Sequence, residues 1–296
     1  MNTDQIISGV IERLEQNQAL YRLENFVERM EALDELEFHL LDEIEQVDNG
    51  THTELPSFIQ QGKLLKLKLD DTNEKLFAHL LGHIRAHEHD TLKQYLRQAE
   101  QQILKHNGND TVGYDELDML VNGLLDVDLI PEESLKRDAD MMFYQPTPVR
   151  IILKLIDLLG MNTHDVFYDL GSGLGHVPIL ITLLTGIQTK GVERDDSYIH
   201  YSEACLKKLE LDHVEFIHAD VRDVDYADGT IFYLYTPFRG ELLRQVLAML
   251  EAQSKQRPIR VCSYGPCTLQ VSKQTWLHPI YETGKHENHF AIFTHH

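Results

Sequence analysis

Val166–Phe167–Tyr168–Asp169–Leu170–Gly171–Ser172–Gly173–Leu174–Gly175–His176 is the stretch on which the reading of this chain turns. A short apolar run meets an acid, three glycines follow on alternate positions, and Val177–Pro178–Ile179–Leu180 resumes the apolar character. The pattern predicts a buried strand, a tight glycine turn and the start of a helix. Glycine accepts positive φ and lets a ligand approach without a Cβ in the way, and the helix behind it presents unpaired N–H groups. The stretch is therefore a candidate nucleotide-type cofactor site, against the plainer alternative of a glycine turn with no ligand. A dinucleotide fingerprint would need a third glycine where His176 stands. What is present instead is Asp-x-Gly-x-Gly-x-Gly.

Downstream, apolar strands alternate with helices. Val177 to Leu184 reads as helix, and Thr189–Lys190–Gly191–Val192–Glu193 as a second strand ending in an acid. Glu193 lies about 20 residues past the glycines, where a strand-end carboxylate can accept both ribose hydroxyls. Asp195–Asp196–Ser197 opens a helix through Leu211, its acids suited to the N-terminal dipole. Val214 to Asp220 is a third strand ending in a carboxylate. Thr230 to Tyr235 is a fourth, continuously apolar as in a sheet covered on both faces. Ile259 to Tyr264 gives a fifth before a Gly265–Pro266 turn, and Trp276–Tyr281 and Phe290–Thr294 suggest an antiparallel pair. The fold class expected is α/β, with a doubly wound Rossmann-like sheet.

The first half is helix after helix from Thr3 to about Asp110. Leu23, Phe26, Val27, Met30, Leu33, Leu36, Leu40, Leu41 and Ile44 keep a three-four spacing until Asp48–Asn49–Gly50 stops it. A second helix is expected from near Asp71–Thr72 with Leu76, Phe77, Leu80, Leu81 and Ile84 buried. A third carries Leu92, Leu96, Ala99 and Ile103 to His106–Asn107–Gly108, and a short one spans Tyr114 to Leu125. Amphipathic segments of this kind pack into a bundle or cap. His79, His83 and His87 recur every fourth residue, a spacing able to chelate a metal, but they read better as one shoulder of a helix, and no metal is assigned. Tyr144–Gln145–Pro146–Thr147–Pro148 is the expected junction, with Thr147 capping a helix that starts at Pro148 and ends at Gly160. The domains expected are an acidic all-helical 1–140 and a cofactor-binding 141–296.

The 296 residues are 42% hydrophobic, ample for a packed core, and the net charge is −21. Through Gln145 there are 30 acidic and 13 basic side chains (net −17), so the helical half holds most of the charge. Nucleic-acid binders display basic faces, and no Lys/Arg run exists here, which disfavours a nucleic-acid substrate. No apolar run has the length of a membrane span and no secretory signal opens the sequence. Cys205, Cys262 and Cys267 are few, odd in number and without zinc-ligand spacing, which favours free buried thiols and a cytoplasmic location.

Asp169 to Gly175, Glu193, Asp220 and the Thr236–Phe238 segment resemble, in order and spacing, class I S-adenosylmethionine-dependent methyltransferases. That resemblance covers about half the chain, from Tyr144 onward, and implies a seven-stranded methyltransferase sheet and S-adenosylmethionine as cofactor. Phe167 to Gly175 followed by Gly191–Val192–Glu193, with the preceding Tyr144–Thr147 segment, is most similar to the histone-lysine methyltransferases that lack a SET domain. The group's basic nucleosome-binding surface is absent, and Tyr235–Thr236–Pro237–Phe238 replaces its Asn-containing segment. The replacement is similar to the Asn/Asp-Pro-Pro-Tyr/Phe element of amino-group methyltransferases without the amide or acid.

The resemblance implies that Asp169, Gly171, Ser172, Gly173 and Gly175 cradle the cofactor, with Asp169 near its methionine amino group. Glu193 would meet the ribose, and Asp220 and the Val221 N–H the adenine. Tyr144 and Thr147 belong to a segment that lids the cofactor. Tyr235, Thr236 and Phe238 line the acceptor pocket, Thr236 also beside the cofactor and Tyr144 closing from above. The expected function is methyl transfer to an amino group of a protein or small molecule, the helical half shaping acceptor access and its acidity favouring a basic segment or small amine. The rival readings are a cofactor-binding scaffold without catalysis and an NAD-dependent oxidoreductase.

Overall fold

Two compact units, Met1–Asp126 and Val127–His296, divide the chain. A computed structural model describes residues 3–48, 57–107, 113–126, 131, 133–134 and 140–295. The boundary expected between residues 140 and 141 falls inside the second unit.

The first unit is helical: α1 (Thr3–Gln16), α2 (Phe26–Asp48), α3 (Ser57–Arg85), α4 (His89–Asn107) and α5 (Glu116–Leu125). Phe26, Val27, Leu33 and Leu36 on α2 are buried as their spacing predicts, while Leu23 lies before the helix. The side chains of Leu40, Leu41 and Ile44 lie outside the described residues, as do Asn49, Gly50, Gly108 and Asp110. The helix expected from Asp71 instead begins at Ser57, because Ile59, Leu65 and Leu69 extend the buried stripe of Thr72, Leu76 and Leu80 back by several turns. On α5, Asp115 accepts from Leu117 N while Asp118 accepts from Asp115 N, a reciprocal cap that satisfies two N–H groups of the helix start.

Arg29 is the polar knot of this core. Its guanidinium donates to Asn73 Oδ1 at 2.6 Å and to the carbonyls of Leu20 (3.0 Å) and Arg22 (2.8 Å), tying α2 to α3 and to the turn before it. Burial lowers its pKa. Of the three spaced histidines, His79 and His83 approach through their Nε2 atoms at 3.2 Å and His87 stacks on His89. Among the described residues no cluster of three His, Cys, Asp or Glu is arranged to hold a metal.

The second unit is a seven-stranded sheet in the order β3-β2-β1-β4-β5-β7-β6. Its strands are β1 (Val166–Leu170), β2 (Gln188–Glu193), β3 (Val214–His218), β4 (Ile231–Tyr235), β5 (Arg260–Tyr264), β6 (His278–Thr283) and β7 (Phe290–Thr294). The first five run parallel, and β7 is antiparallel to both β5 and β6. Between them lie α6 (Val149–Leu159), α7 (His176–Thr185), α8 (Asp196–Leu209), α9 (Gly240–Ser254) and the single turn α10 (Thr268–Val271). Helix α7 packs on β1 and β2, and α8 on β2 and β3. Strands β1 and β4 are buried almost throughout, which is why both read as apolar runs without alternation.

Helix α9 is an addition to the sequence reading, which placed no helix there. Among the described residues no helix is long and apolar enough to cross a membrane. All three cysteines are free and buried.

Candidate functional site

The chain runs outward from β1 to β3 on one side of the sheet and from β4 to β5 on the other. The order therefore reverses between β1 and β4, and the carboxyl ends of these strands open a crevice there. A cleft lined from the ends of β1, β2, β3 and β4 occupies that position. Its floor includes Gly171, Gly173, Glu193 and Asp220, and its far wall Tyr235, Thr236 and Phe238.

The glycine turn is built as its composition demands. Gly171, Gly173 and Gly175 have φ of +87°, +52° and +83°, a region that costs other residues strain. Each also sits against something a Cβ would strike. A Cβ on Gly171 would stand 2.5 Å from Pro237 Cβ, and one on Gly173 2.1 Å from the Tyr144 ring. Tyr144 thus leans directly over the turn, packed against Tyr198 with ring centroids 5.3 Å apart and with its hydroxyl 3.2 Å from His176 Nδ1. Gly171 and Gly173 line the cleft, whereas Ser172 and Gly175 stand behind it. The buried Ser172 Oγ has no hydrogen-bond partner among the described residues.

Two carboxylates sit beneath the turn. Glu193, at the end of β2, accepts from Gly173 N (2.8 Å) through one oxygen and from Arg194 N (2.7 Å) and Asp195 N (2.8 Å) through the other. Burial raises its pKa against the pull of those N–H groups. Asp169, 4% exposed on β1, is pushed up to about 8 by desolvation and by the nearby Glu193. His176 is equally enclosed, and burial drives its pKa down to about 4, so the imidazole beside Tyr144 is neutral.

Asp220 lies just past β3 and lines the cleft with Val221. Its carboxylate is gripped by the Arg222 guanidinium, at 2.8 Å from Nε and 2.7 Å from Nη2, and also accepts from Arg222 N. That pairing holds its pKa below the usual carboxylate range. Thr236 has φ +42°, an uncommon backbone for a β-branched residue. Its hydroxyl bonds Tyr264 O at 3.1 Å and accepts from Cys267 N at 3.3 Å, so it braces the wall from outside. The Tyr235 ring packs on Tyr264 at 4.8 Å, and Phe238 is buried.

Thr147 departs from its expected place. Helix α6 has Pro148 as its N-cap with no side-chain cap, and the buried Thr147 hydroxyl instead meets Tyr233 OH at 3.1 Å. The phenol of Tyr233 is fully enclosed and needs a partner, and the Thr147 hydroxyl is the one that reaches it. Sequence reasoning also passed over residues that line the cleft, among them Glu133, Met141, Met142, Arg194 and Tyr198. Only Arg194 carried a signal, directly following the strand-end acid.

A glycine turn between β1 and a helix, a buried acid on each of β1 and β2, another after β3 and a reversed seven-stranded sheet define a class I S-adenosylmethionine-dependent methyltransferase. The protein is one. Residues 140–232 match the family model described as histone methylation protein DOT1. No protein of curated function matches the chain. Among solved structures, an RNA methyltransferase from Salinibacter ruber in complex with S-adenosyl-L-homocysteine is 23% identical over 51% of this chain and 93% of its own, with a TM-score of 0.43. A human methyltransferase 10 domain containing protein is 17% identical over 60% of this chain and 94% of its own, with a TM-score of 0.41.

The residues present suit this cofactor. Gly171 and Gly173 bring backbone at positive φ to the cleft, and the Ser172 hydroxyl, without a partner among the described residues, lies behind them. The Glu193 and Asp220 carboxylates line the cleft at the ends of β2 and β3, whereas the buried Asp169 does not line it.

Proposed function

We propose that this methyltransferase modifies an amino nitrogen of a cationic acceptor, a basic protein segment or a small amine, in the cytoplasm. The observation that carries the proposal is the wall Tyr235–Thr236–Pro237–Phe238, which follows β4 and lines the cleft with a strained backbone at Thr236. When bound, the cofactor supplies a methyl group on a sulfonium leaving group, ready for in-line displacement. The protein's part is to hold the nucleophile in line and exclude water.

In this reading Asp169 accepts from the methionine amino group, Glu193 from the ribose and Asp220 from the adenine amino group, with Val221 N–H donating to the ring. Ser172 and the three glycines admit the backbone of the ligand, and Thr147 steadies the sheet beneath through Tyr233. Tyr144 closes over the methionine end, and Tyr235, Thr236 and Phe238 shape the acceptor pocket. The net charge of −21 favours a positively charged acceptor over a nucleic acid. We further propose that the acidic helical residues 1–126 help to select the acceptor and that residues 127–296 are the catalytic domain.

Thermal unfolding with S-adenosylmethionine, S-adenosylhomocysteine and NAD added separately tests the site. At 100 times its dissociation constant a ligand stabilises by about 2.7 kcal/mol, a shift of roughly 5–10 °C for a domain of this size. Both sulfur compounds should produce it, NAD should not, and Glu193→Ala should abolish it. Transfer of a labelled methyl group is then measured on basic peptides, polyamines and RNA. Label in peptide or polyamine supports the proposed acceptor, and label in RNA alone overturns it.

A further inference from the structure

Helix α9 begins without a cap of its own. Arg239 at its N-cap position makes no side-chain capping bond to the helix, and Gly240 has φ +58°. The carboxylate that satisfies the first turn comes from Asp140, 101 residues earlier: Oδ2 accepts from Glu241 N at 3.1 Å and from Leu242 N at 3.5 Å. The backbone is fastened at the same place. Arg239 N donates to Asp140 O at 2.8 Å, Met142 N donates to Pro237 O at 3.2 Å, and Met141 forms an antiparallel bridge with Phe238.

These contacts join two segments about a hundred residues apart in the sequence. One, residues 140–144, carries Met141, Met142 and the Tyr144 that leans on Gly173; the other, 235–242, carries the acceptor wall. Both line the cleft. We propose that Asp140 is a positioning residue for methyl transfer: by capping α9 it locks the 140–144 strap against the acceptor wall and so sets where Tyr144 stands over the cofactor. Gly240 is part of the device, since a Cβ there would stand 2.6 Å from Asp140 Oδ1 and 3.0 Å from Oδ2.

The test is the affinity of the full chain for S-adenosylhomocysteine, measured by calorimetry. Asp140→Ala should weaken binding by about fivefold to tenfold, the size of a lost cap transmitted to the site. Asp140→Asn should restore most of it, because Asn caps as well as Asp. Gly240→Ala should reproduce the loss by displacing the carboxylate, and the Asp140→Ala/Gly240→Ala double variant should bind no more weakly than the worse single one. Asp115→Ala is the control, since it removes an ordinary cap from α5 and should lower the melting temperature without changing affinity. Wild-type affinity in Asp140→Ala, failure of Asn to rescue, or equal weakening by Asp115→Ala would overturn the proposal.

Discussion

Asp169 and His176 flank the glycine turn, are both enclosed, and titrate in opposite senses. The carboxyl of Asp169 is held up to about 8, so between roughly pH 4 and 8 the folded domain keeps a proton that the unfolded chain has released, and stability falls as pH rises through that window. His176, held down to about 4, stays neutral when folded while the unfolded chain takes up a proton below about pH 6.5, so stability falls as pH drops toward 4. Between about pH 4 and 6.5 the two effects oppose one another and above about 6.5 only Asp169 acts, so the ligand-free domain is expected to hold level in mildly acid solution and to lose stability toward pH 8. Urea midpoints measured from pH 4.5 to 8.5 check this: Asp169→Asn should remove the alkaline fall and expose a loss toward pH 4.5, and His176→Gln should extend the fall into the acid range. Profiles unchanged in both variants would mean that neither group is responsible. Neither shift was legible from sequence, since a carboxylate in an apolar strand says nothing of how close the next strand brings Glu193.

Among the elements, α2 and α3 show how a helical pair is specified by more than its apolar stripe. Arg29 places three hydrogen bonds in the core while its Nη2 is buried without a partner among the described residues, a costly arrangement that the three bonds offset. Arg29→Ala leaves a cavity and strands Asn73 and the carbonyls of Leu20 and Arg22, and should cost about 2–4 kcal/mol of stability. Chemical denaturation followed by far-ultraviolet circular dichroism gives that figure, and a loss under about 0.5 kcal/mol, the level of a surface change, would refute the role. The stripes themselves were readable, as Leu92, Leu96, Ala99 and Ile103 on α4 illustrate. Helix α9 was not, because its starting signal sits in another segment altogether. The start of α3 was missed for a different reason: exposed Leu64 and Leu67 interleave with buried Leu65 and Leu69 and blur the period.

For the whole molecule, the single tryptophan offers a clean probe. Trp276 belongs to the second unit, so intrinsic tryptophan emission reports that unit's unfolding, while circular dichroism sums the helices of both. With saturating S-adenosylhomocysteine the emission transition should move upward by about 2.7 kcal/mol at 100 times the dissociation constant. The helical transition of residues 1–126 should move less. Equal displacement of both signals would show that the two units unfold as one.

The local statements of the chain were decided by sequence alone. Three glycines on alternate positions, an acid on the strand before them and acids at the next two strand ends follow from which residues tolerate positive φ and which belong at the open end of a parallel sheet. The class of protein follows from those local facts, because each depends on a few neighbouring residues. Tertiary structure decided what those residues do for one another. It sends the Thr147 hydroxyl to Tyr233, turns Thr236 outward to Tyr264 and Cys267, and brings Asp140 to the start of α9. The physical reason is common to all three. A buried or helix-end polar group must find a partner, and the partner that lies nearest is set by how strands and helices pack, at sequence separations no periodicity can span.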